Sequence, residues 1–394
     1  MTTQQTLRVG IVGCGNIGSG SHLPGWQANR DVAAVVGLAD PSPETLDRAR
    51  ALAGLASTQA HLDPMELIAR PDVDAIDICT PQHLRRDLIA AAAAHGKHVL
   101  CEKPLGTIPS DAAAAVAAGD ITLAMVHNYL WLPEVRAAQR VIDSGEIGAV
   151  RSVTVNFLGI VDVPGSAGYA PRWRHEAALA GGGVLMDILH GVYVAESLLG
   201  EPLRRVSAYA DNRDPDANVE DLALCRFETG SNAALVNIAW GHGPGGLEVT
   251  GTEGRVVAVY RDGGTSPWSP LDRVLVTTAA GTRVELDVTG QADDDYAALL
   301  DTFVYVTRDF TQAALGGTAP RASGADGLRI LEATVGALAS AATGRIVEIP
   351  LDRDSPAFLR GVLGVADLDL PDWSPVRTRG LYRQTTTTAE ETSR

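Results

Sequence analysis

The run Arg8-Val-Gly-Ile-Val-Gly13-Cys-Gly15-Asn-Ile-Gly18 decides the fold of the first part of the chain. An apolar stretch, suited to a buried strand, leads directly into three glycines in the spacing Gly-x-Gly-x-x-Gly. Glycines at this spacing let the backbone turn tightly and approach a pyrophosphate, whose charge is stabilised by amide N–H groups at the start of the next helix. The run therefore predicts a dinucleotide-binding turn. The residues assigned to it are Gly13, Gly15, Asn16, Ile17 and Gly18.

Asp40 lies 22 residues after Gly18, at the end of the next predicted strand. An acid at this point commonly accepts hydrogen bonds from the adenosine ribose and repels the extra phosphate of NADP. NAD is therefore the predicted cofactor, with NADP as the alternative because Ser42 or Arg48 offers a group that could soften the repulsion. The competing interpretation is a plain glycine turn, with Asp40 capping the helix that begins near Pro41.

The first third of the chain has the pattern of a Rossmann domain. From residue 8 to about 130, short β-rich runs alternate with alanine-rich helical stretches, which is typical of a parallel sheet covered by helices. A helix is predicted over 84–95, closed by Gly96. The predicted strands are 8–12, 32–38, 74–79, 98–101 and 121–126. We expect an α/β fold with a doubly wound parallel sheet over residues 1–130.

The pattern changes near residue 151, where strand-like segments follow one another without helices between them. Such succession favours an antiparallel sheet, and Gly251-Thr-Glu-Gly254 is typical of a hairpin turn. We expect a C-terminal α+β domain over 131–384, with a large open and mainly antiparallel sheet, followed by a disordered tail over 385–394. Strands are predicted over 152–158, 205–210, 222–227, 233–240, 247–250, 256–260 and 273–277, and helices over 130–143, 183–199, 296–315 and 324–343.

Length, charge and cysteine content narrow the class of protein. At 394 residues the chain exceeds one hydrophobic core, so two domains are expected. The formal net charge of −16 repels nucleic acid and anionic membrane surfaces, and neither is expected as a partner. The N-terminus lacks a signal-peptide pattern, and the four cysteines have no metal-binding or disulfide spacing. A cytoplasmic location and no metal cofactor are expected.

Lys103 is the strongest candidate for a catalytic residue. It follows the predicted strand 98–101, at the carboxyl edge where ligands bind in open α/β sheets, and stands between Glu102 and the rigid Pro104. An ammonium group there can donate a hydrogen bond to a carbinol oxygen and stabilise the alkoxide that develops during oxidation. The alternative is an ordinary surface lysine.

Asp187 and His190 form the second part of the predicted site. They lie three positions apart after Gly181-Gly-Gly183, so one helix would present both on the same face. The imidazole could then accept a hydroxyl proton while the carboxylate orients it. The alternative is a helix N-terminus in which Asp187 complements the dipole and His190 is a buried core histidine.

Two further segments are predicted to contact the cofactor. Thr80 and Pro81 end the third strand at the same sheet edge, where they could line the nicotinamide ribose, or simply terminate the strand. The run Arg172-Trp-Arg-His175 offers an aromatic face and two cations that could cover the cofactor, or acts as a loop anchor. His83 and Glu102 complete this set of predicted cofactor contacts.

In these motifs and their order the chain resembles the Gfo/Idh/MocA oxidoreductases, named for glucose-fructose oxidoreductase, inositol dehydrogenase and a rhizopine-catabolism protein. The resemblance covers about 7–350 and rests on the glycine turn, 79–81, 96–104, 144–148, 181–190 and 251–254. It implies a Rossmann domain, an open antiparallel sheet through which dimers or tetramers assemble, and a catalytic set of Lys103, Asp187 and His190. It also implies cofactor or substrate contacts by Asn128, Trp173, Arg174 and Tyr296.

Two departures from the family pattern stand out. The acid and the histidine are often four positions apart in the family, whereas Asp187 and His190 are three apart, which could rotate the imidazole slightly. Where many members have a histidine shortly after Thr-Pro, this chain has Arg85 or Arg86, which changes the cofactor environment.

The residues and the resemblance together predict an NAD-dependent dehydrogenase. It would oxidise a secondary hydroxyl of a cyclic sugar, a glucoside or anhydrosugar, or an inositol, with His190 as base, Lys103 polarising the oxygen and Asp187 orienting. Lysine as the base stays open. Two other hypotheses are a glycoside-cleaving enzyme that cycles a tightly bound nucleotide, and a cofactor-sensing regulator on the same scaffold. The expected assembly is a homodimer or homotetramer.

Overall fold

The chain is organised around two β-sheets, one in each half of the sequence. The computed structural model describes residues 6–160, 172–213, 217–241, 243, 245–259, 273–286, 295–316 and 318–383. The first sheet has six strands and the second has nine. The predicted tail over 385–394 lies outside the described residues.

The first sheet is a parallel Rossmann sheet. Its strands are β1 Leu7–Val12, β2 Ala33–Ala39, β3 Ala60–His61, β4 Ala75–Ile78, β5 His98–Cys101 and β6 Leu123–Met125. They lie in the order β3-β2-β1-β4-β5-β6, and every pairing is parallel. The chain changes direction between β1 and β4, and ligands of open α/β sheets bind outside the carboxyl ends of strands at such a switch point. All five predicted strands are confirmed, and the sequence analysis missed only the two-residue β3.

The helices of this domain begin and end where the sequence provides caps. They are α1 Leu23–Ala28, α2 Pro43–Ala53, α3 Pro64–Ile68, α4 Arg85–Ala94 and α5 Pro109–Val116. The hydroxyl of Ser42 accepts a hydrogen bond from the N–H of Thr45 and caps α2, and Asp63 caps α3. The predicted helix over 84–95 is confirmed as α4. A π-helical turn, Gly18–His22, connects the glycine turn to α1.

The second sheet is mainly antiparallel, as predicted. Its strands are β7 Val150–Ile160, β8 Arg205–Asp211, β9 Leu222–Glu228, β10 Ala233–Trp240, β11 Gly245–Gly251, β12 Gly254–Val259, β13 Arg273–Thr278, β14 Arg283–Leu286 and β15 Val347–Glu348. Their order is β14-β13-β12-β11-β7-β10-β9-β8-β15, and β7 pairs with β10 in parallel. The predicted hairpin turn at Gly251 connects β11 to β12.

The helices after β6 are α6 Pro133–Ser144, α7 Ala177–Ala180, α8 Val184–Asp187, α9 His190–Leu199, α10 Asp295–Ala314, α11 Gly324–Thr343, α12 Pro356–Val365 and α13 Pro375–Thr378. Of these, α6, α8, α9 and α11 pack against the second sheet. Alternate strand residues such as Val155, Val236 and Phe227 are buried beneath α8 and α9. The predicted helices 296–315 and 324–343 are confirmed, and α6 begins three residues later than predicted, at Pro133.

The predicted continuous helix over 183–199 is wrong. Ile188 has φ −112° and ψ 35°, outside the helical range, and the chain bends by 48° there, so α8 and α9 are separate. No single described helix is long and apolar enough to cross a membrane, although the segment Ala177–Asp187 and α9 together, bent by 48°, pass that test by length and composition.

Two late segments return to the first part of the molecule. Phe303 and Phe310 of α10 pack with Trp26 of α1, so that the long helix covers the Rossmann sheet. The helices α12 and α13, within the predicted domain 131–384, were not predicted, and α12 packs on α5 and α11. Beyond α13, Leu381 and Tyr382 are buried, and the Tyr382 N–H donates to the carbonyl of Asn218.

Candidate active site

The glycine turn has the close backbone approaches that its spacing predicts. Gly13 has φ +94°, and a Cβ there would lie 2.9 Å from the carbonyl oxygen of Cys79. A Cβ on Gly18 would overlap the carbonyl of Gly13. A Cβ on Gly15, in contrast, would meet no described atom within 4 Å. The turn is therefore packed tightly against the end of β4 and is open at Gly15, where a pyrophosphate can approach; Asn16 and Ile17 follow at the start of the helix.

Asp40 ties the glycine turn to the start of α2. Its carboxylate accepts hydrogen bonds from the backbone N–H of Cys14 at 2.8 Å and of Ser42 at 2.9 Å. The interpretation of Asp40 as the cap of α2 is wrong, because Ser42 is that cap. A carboxylate has about four acceptor sites, so this half-buried group keeps capacity for a ribose hydroxyl.

Arg85 joins the ends of β4 and β5. The buried guanidinium donates to the carbonyl of Thr80 at 2.7 Å, to that of Glu102 at 2.6 Å, and to that of Pro104. Arg86, in contrast, is exposed and pairs with acidic side chains at the surface. Arg85 is thus the one of the two that lies in the site, where it clamps the loops before and after Lys103.

The strand-end segment also carries an unused hydroxyl. The buried Oγ1 of Thr80 has no hydrogen-bond partner among the described residues, so it is free to bind a ligand at the sheet edge. Pro81 follows it and ends the ladder. His83 lies on the next turn, where partial burial of its imidazole lowers its pKa. The backbone N–H groups of the glycine turn and the hydroxyl of Thr80 are donors that suit a dinucleotide.

A fully buried charge network lies beneath this edge, and the sequence analysis missed its central residue, His22. Nδ1 of His22 is 2.8 Å from Oδ2 of Asp77, and its Nε2 is 3.1 Å from Oε1 of Glu102. Asp77 also accepts a hydrogen bond from the indole N–H of Trp26 at 2.7 Å. Burial lowers the pKa of His22, but the adjacent Asp77 and Cys79 together raise it well above its ordinary value.

This network bears on two earlier expectations. His22, Asp77 and Cys79 place possible metal ligands within 4.8 Å of one another, but both imidazole nitrogens already face carboxylate oxygens, so we assign no metal to them. Glu102, predicted to contact the cofactor, directs one oxygen at His22 and accepts the N–H of Lys103 on the other at 2.9 Å. Its contacts are those of a residue that positions Lys103.

Lys103 reaches from the Rossmann domain to the segment that carries the other predicted catalytic residues. Its half-buried Nζ donates a 2.7 Å hydrogen bond to the backbone carbonyl of Asp187, and its peptide bond to Pro104 is cis. Burial lowers the pKa of Lys103, and the carboxylates of Asp187 and Glu102 oppose that shift. The lysine is therefore a partly buried group that faces the Asp187 segment, and the surface-lysine interpretation is wrong.

Asp187 is linked to the predicted cofactor cover. Its Oδ2 lies 3.8 Å from Nη1 of Arg174, and the Arg174 guanidinium lies over the ring of Trp173, 5.5 Å from its centroid. Lys103, Asp187, Trp173 and Arg174 are thus brought together. The side chain of Arg172 lies outside the described residues.

His190 is oriented by Tyr193. The prediction that Asp187 orients it is wrong. The bend between α8 and α9 removes the shared helical face, and Nδ1 of His190 lies 2.6 Å from Oη of Tyr193. The imidazole stacks on Tyr129 with 3.9 Å between ring centroids. Burial lowers the pKa of His190 far below its ordinary value, and the charge of Lys103 adds to the shift. Tyr193 could have been found from the sequence, because it lies three positions after His190 and so on the same helical face.

Glu220 is the third residue of this region, after His22 and Tyr193, that was not predicted from the sequence. Its buried carboxylate accepts the N–H groups of Gly183 at 2.9 Å and Leu185 at 3.0 Å, and the hydroxyl of Tyr382 at 3.1 Å. A Cβ on Gly183 would overlap the carbonyl of Glu220, so the glycine allows these two backbone segments to approach closely. Burial raises the pKa of Glu220 to about 7. The residue holds the start of the α8 segment that leads to Asp187.

The two remaining predicted contacts lie near α10. Asn128 is buried and donates to the hydroxyl of Thr302 at 3.2 Å. Tyr296 is in the first turn of α10, but its side chain lies outside the described residues. Both roles stay predictions.

The comparisons with known proteins agree with this geometry. A model described as the oxidoreductase family with an NAD-binding Rossmann fold matches residues 7–128, and a GFO/IDH/MocA C-terminal domain matches 135–257. The chain belongs to this family. It is accordingly an NAD(P)-dependent oxidoreductase, and the family resemblance inferred from the motifs is confirmed.

Several members of the GFO/IDH/MocA family are similar over most of their length. Levoglucosan dehydrogenase of Pseudarthrobacter phenanthrenivorans is 29% identical, over 65% of this chain and 74% of its own. The dTDP-3,4-didehydro-2,6-dideoxy-alpha-D-glucose 3-reductase of Saccharopolyspora spinosa is 32% identical, over 69% of this chain and 80% of its own. A solved structure of levoglucosan dehydrogenase in complex with NADH has a TM-score of 0.76 and 26% identity, and it covers 88% of this chain and 100% of its own.

Proposed function

We propose that the chain is an NAD-dependent dehydrogenase that oxidises a secondary hydroxyl of a cyclic sugar, a sugar derivative or an inositol to a ketone. The observation that carries the proposal is the 2.7 Å hydrogen bond from Nζ of Lys103 to the carbonyl of Asp187. This hydrogen bond joins Lys103, at the nucleotide-binding edge of the sheet, to the segment between Asp187 and His190. A donor of this kind stabilises the charge that develops on an oxygen during oxidation.

The residues around the glycine turn would hold the cofactor. Gly13 and Gly18 allow the turn to be tight and Gly15 leaves room for the pyrophosphate. Asp40 would receive the adenosine ribose, and Thr80 offers its free hydroxyl. When bound, the nicotinamide ring supplies the hydride acceptor. A carboxylate at position 40 supports NAD as the preferred cofactor, with NADP as the weaker one.

The three predicted catalytic residues have different roles in binding and oxidising the substrate. Lys103 contacts the reacting oxygen, His190 lies buried against Tyr129 beside it, and Asp187 pairs with Arg174 to fix the wall of the site. Holding a carbinol between these groups and the nicotinamide supplies the proximity that hydride transfer requires. Access of water to the imidazole is limited because His190 is buried.

The substrate class follows from the family relatives. Levoglucosan is an anhydrosugar, and the dTDP-linked relative acts on a keto sugar, so both handle oxygens on a sugar ring. For this chain we propose a substrate from the same class, which includes anhydrosugars, glucosides and inositols. The buried, free state of all four cysteines supports a reducing, cytoplasmic location. Exposed Tyr209, Leu224 and Leu235 on the sheet support a homodimer or homotetramer.

The experiment is a spectrophotometric screen for reduction of NAD and NADP by the purified protein with inositols, aldoses, glucosides and anhydrosugars. Lys103→Met should abolish substrate-dependent reduction, whereas Arg86→Met, an exposed cation on the adjacent helix, should leave it unchanged. If nucleotide binds or co-purifies and no substrate is oxidised, the dehydrogenase proposal fails. Glycoside cleavage by a retained nucleotide, or cofactor sensing, then becomes the better explanation.

A further inference from the structure

The hydroxyl of Tyr193 makes two hydrogen bonds in the protein interior. It accepts the backbone N–H of Tyr129 at 3.1 Å, and it lies 2.6 Å from Nδ1 of His190. Tyr193 and His190 are each only 3% exposed. The geometry therefore fixes which nitrogen of the imidazole faces the phenol and which one is left for a ligand.

The hydrogen-bonding capacity of a phenol decides where the shared proton lies. A phenol has one proton to donate, and here one acceptor position is used by Tyr129 N–H. Among the residues that the structure describes, Nδ1 of His190 is the acceptor available to that proton. Were Nδ1 itself protonated, the Tyr193 proton would be buried without an acceptor, which is strongly disfavoured.

Both partners are neutral, so the choice is between two tautomers of one imidazole. Burial raises the pKa of Tyr193 well above its ordinary value and lowers that of His190 well below. The ring of His127 stacks on Tyr193 with 4.1 Å between centroids, and burial lowers the pKa of His127 to about 3. His127 therefore supplies no proton to Tyr193 or His190 at neutral pH.

We propose that Tyr193 holds His190 as the tautomer protonated on Nε2, so that His190 donates a hydrogen bond to the substrate oxygen and Lys103 receives the hydroxyl proton. An Nε2–H group cannot accept a proton from the substrate. The inference rests on the dehydrogenase function proposed above, and it reverses the predicted roles, in which His190 is the base and Lys103 the donor. Tyr193 is a positioning residue that acts through His190.

The oxidation balances with Lys103 as the proton acceptor. The carbinol C–H bond breaks and its hydride, with both electrons, goes to the nicotinamide. The O–H electron pair becomes the second bond of the ketone, and the proton goes to the neutral amine of Lys103, which later releases it to water. A neutral amine can still donate to the Asp187 carbonyl while its lone pair faces the substrate.

Several charged or titratable groups surround these two residues. Those around Lys103 are Asp187, Glu102, Arg174 and Arg85. Those around His190 are Lys103, His127, Tyr129 and Tyr193. None of the groups around His190 is a carboxylate, so no described partner favours a proton on Nδ1.

The experiment reads the tautomer directly. In protein labelled with ¹⁵N-histidine, long-range ¹H–¹⁵N correlations show which ring nitrogen of each neutral imidazole carries the proton. A His190→Gln variant assigns one of the nine histidines. We expect His190 to be protonated on Nε2 throughout the neutral range. A proton on Nδ1 in the wild-type enzyme would overturn the proposal, whatever the activity.

Tyr193→Phe removes the hydroxyl and keeps the ring that stacks on His127. We expect the Nε2–H signature to weaken in favour of Nδ1–H, with kcat falling by at least about tenfold and KM changing little, since a positioned acid or base contributes about 10²–10⁴. Tyr305→Phe is the control, because this tyrosine stacks on Trp131 outside the site. An unchanged tautomer in Tyr193→Phe would overturn the role of Tyr193.

The two proposals can fail separately. If no sugar or polyol is oxidised while His190 carries its proton on Nε2, the function is wrong and the tautomer assignment stands. If a sugar is oxidised while Nδ1 carries the proton, the function stands and the assignment is wrong.

Discussion

Nε2 of His22 lies 3.1 Å from Oε1 of Glu102, and both side chains are buried. This contact connects the helix that follows the glycine turn with the residue before Lys103, 80 positions later in the chain. The other imidazole nitrogen is held by Asp77 at the end of β4. One protonated histidine therefore joins the nucleotide-binding turn, the middle of the sheet and the lysine loop.

Replacing His22 by Leu should destabilise the protein strongly, because it leaves two buried carboxylates without their cation. Removing one partner of a buried ion pair costs about 3–5 kcal/mol. The measurement is the free energy of unfolding in urea. His61→Gln is the control, because His61 pairs with the exposed Glu66 and such surface pairs are worth about 0–1 kcal/mol. Equal losses in the two variants would contradict the bridging role.

The same histidine predicts a pH dependence of stability. Its pKa in the folded protein is raised above the ordinary value of 6.5, so the stabilisation is complete below that value and is lost as pH rises through the folded pKa. We expect the free energy of unfolding of the wild type to fall towards alkaline pH, by at most about 1.4 kcal/mol per pH unit from this group. The difference between wild type and His22→Gln should shrink over the same range. A difference that does not change with pH would show that His22 is neutral.

The titration of Lys103 can be followed without interference, because Lys97 and Lys103 are the two lysines of the sequence. Burial lowers the pKa of Lys103 below 10.5, so its signal in lysine-labelled protein should titrate at lower pH than that value. A Lys103→Arg variant assigns the resonance. The rate of sugar oxidation should rise with pH over the same range, since the neutral amine is the active form. A rate that is independent of the Lys103 titration would argue against this lysine as the proton acceptor.

Asp40→Ala should weaken NAD binding more than it slows catalysis. The substitution removes a ribose acceptor and the hydrogen bond to the Cys14 N–H, so we expect KM for NAD to rise about tenfold, equivalent to about 1.4 kcal/mol. Discrimination against NADP should fall, because the repelling carboxylate is gone. Asp47→Asn, at an exposed position on α2, serves as the control. A variant that keeps the wild-type preference for NAD would place the cofactor determinant elsewhere.

Tyr382→Phe tests whether the C-terminal segment supports the site through Glu220. Losing one hydrogen bond to a buried carboxylate should cost about 1.5–3 kcal/mol. We also expect a lower kcat with normal nucleotide binding, because α8 and Asp187 depend on Glu220 whereas the glycine turn does not. Thermal unfolding and cofactor titration separate the two effects. Loss of nucleotide binding together with activity would indicate general misfolding instead.

The sequence revealed those parts of the site that are built from contiguous residues. The glycine turn and Lys103 next to Pro104 are local patterns with a direct physical meaning, and both lie where they were predicted. His22 and Glu220 were missed because each acts through a contact that only the tertiary structure creates. Tyr193, in contrast, lies three positions after His190 in the same helix, so its contact is local and could have been predicted. Glu220, for example, caps a helix that begins 36 residues earlier in the chain.

The fold was predictable to a similar extent. Long strands and the helices α10 and α11 have clear periodicity, whereas β3 has only two residues and offers no pattern to detect. The bend at Ile188 was missed because no proline or glycine marks it. That bend is also what separates Asp187 from His190, so one local deviation changed both the helix assignment and the expected catalytic pairing.

The hydrogen bond from Tyr382 to Glu220 spans 162 positions, and its consequence concerns biosynthesis. The nucleotide-binding sheet is complete once Met125 has left the ribosome, but the brace behind the Asp187 segment forms only after residue 382 has been translated. A prematurely terminated chain can therefore contain every strand of the nucleotide-binding sheet and still lack the brace behind the Asp187 segment.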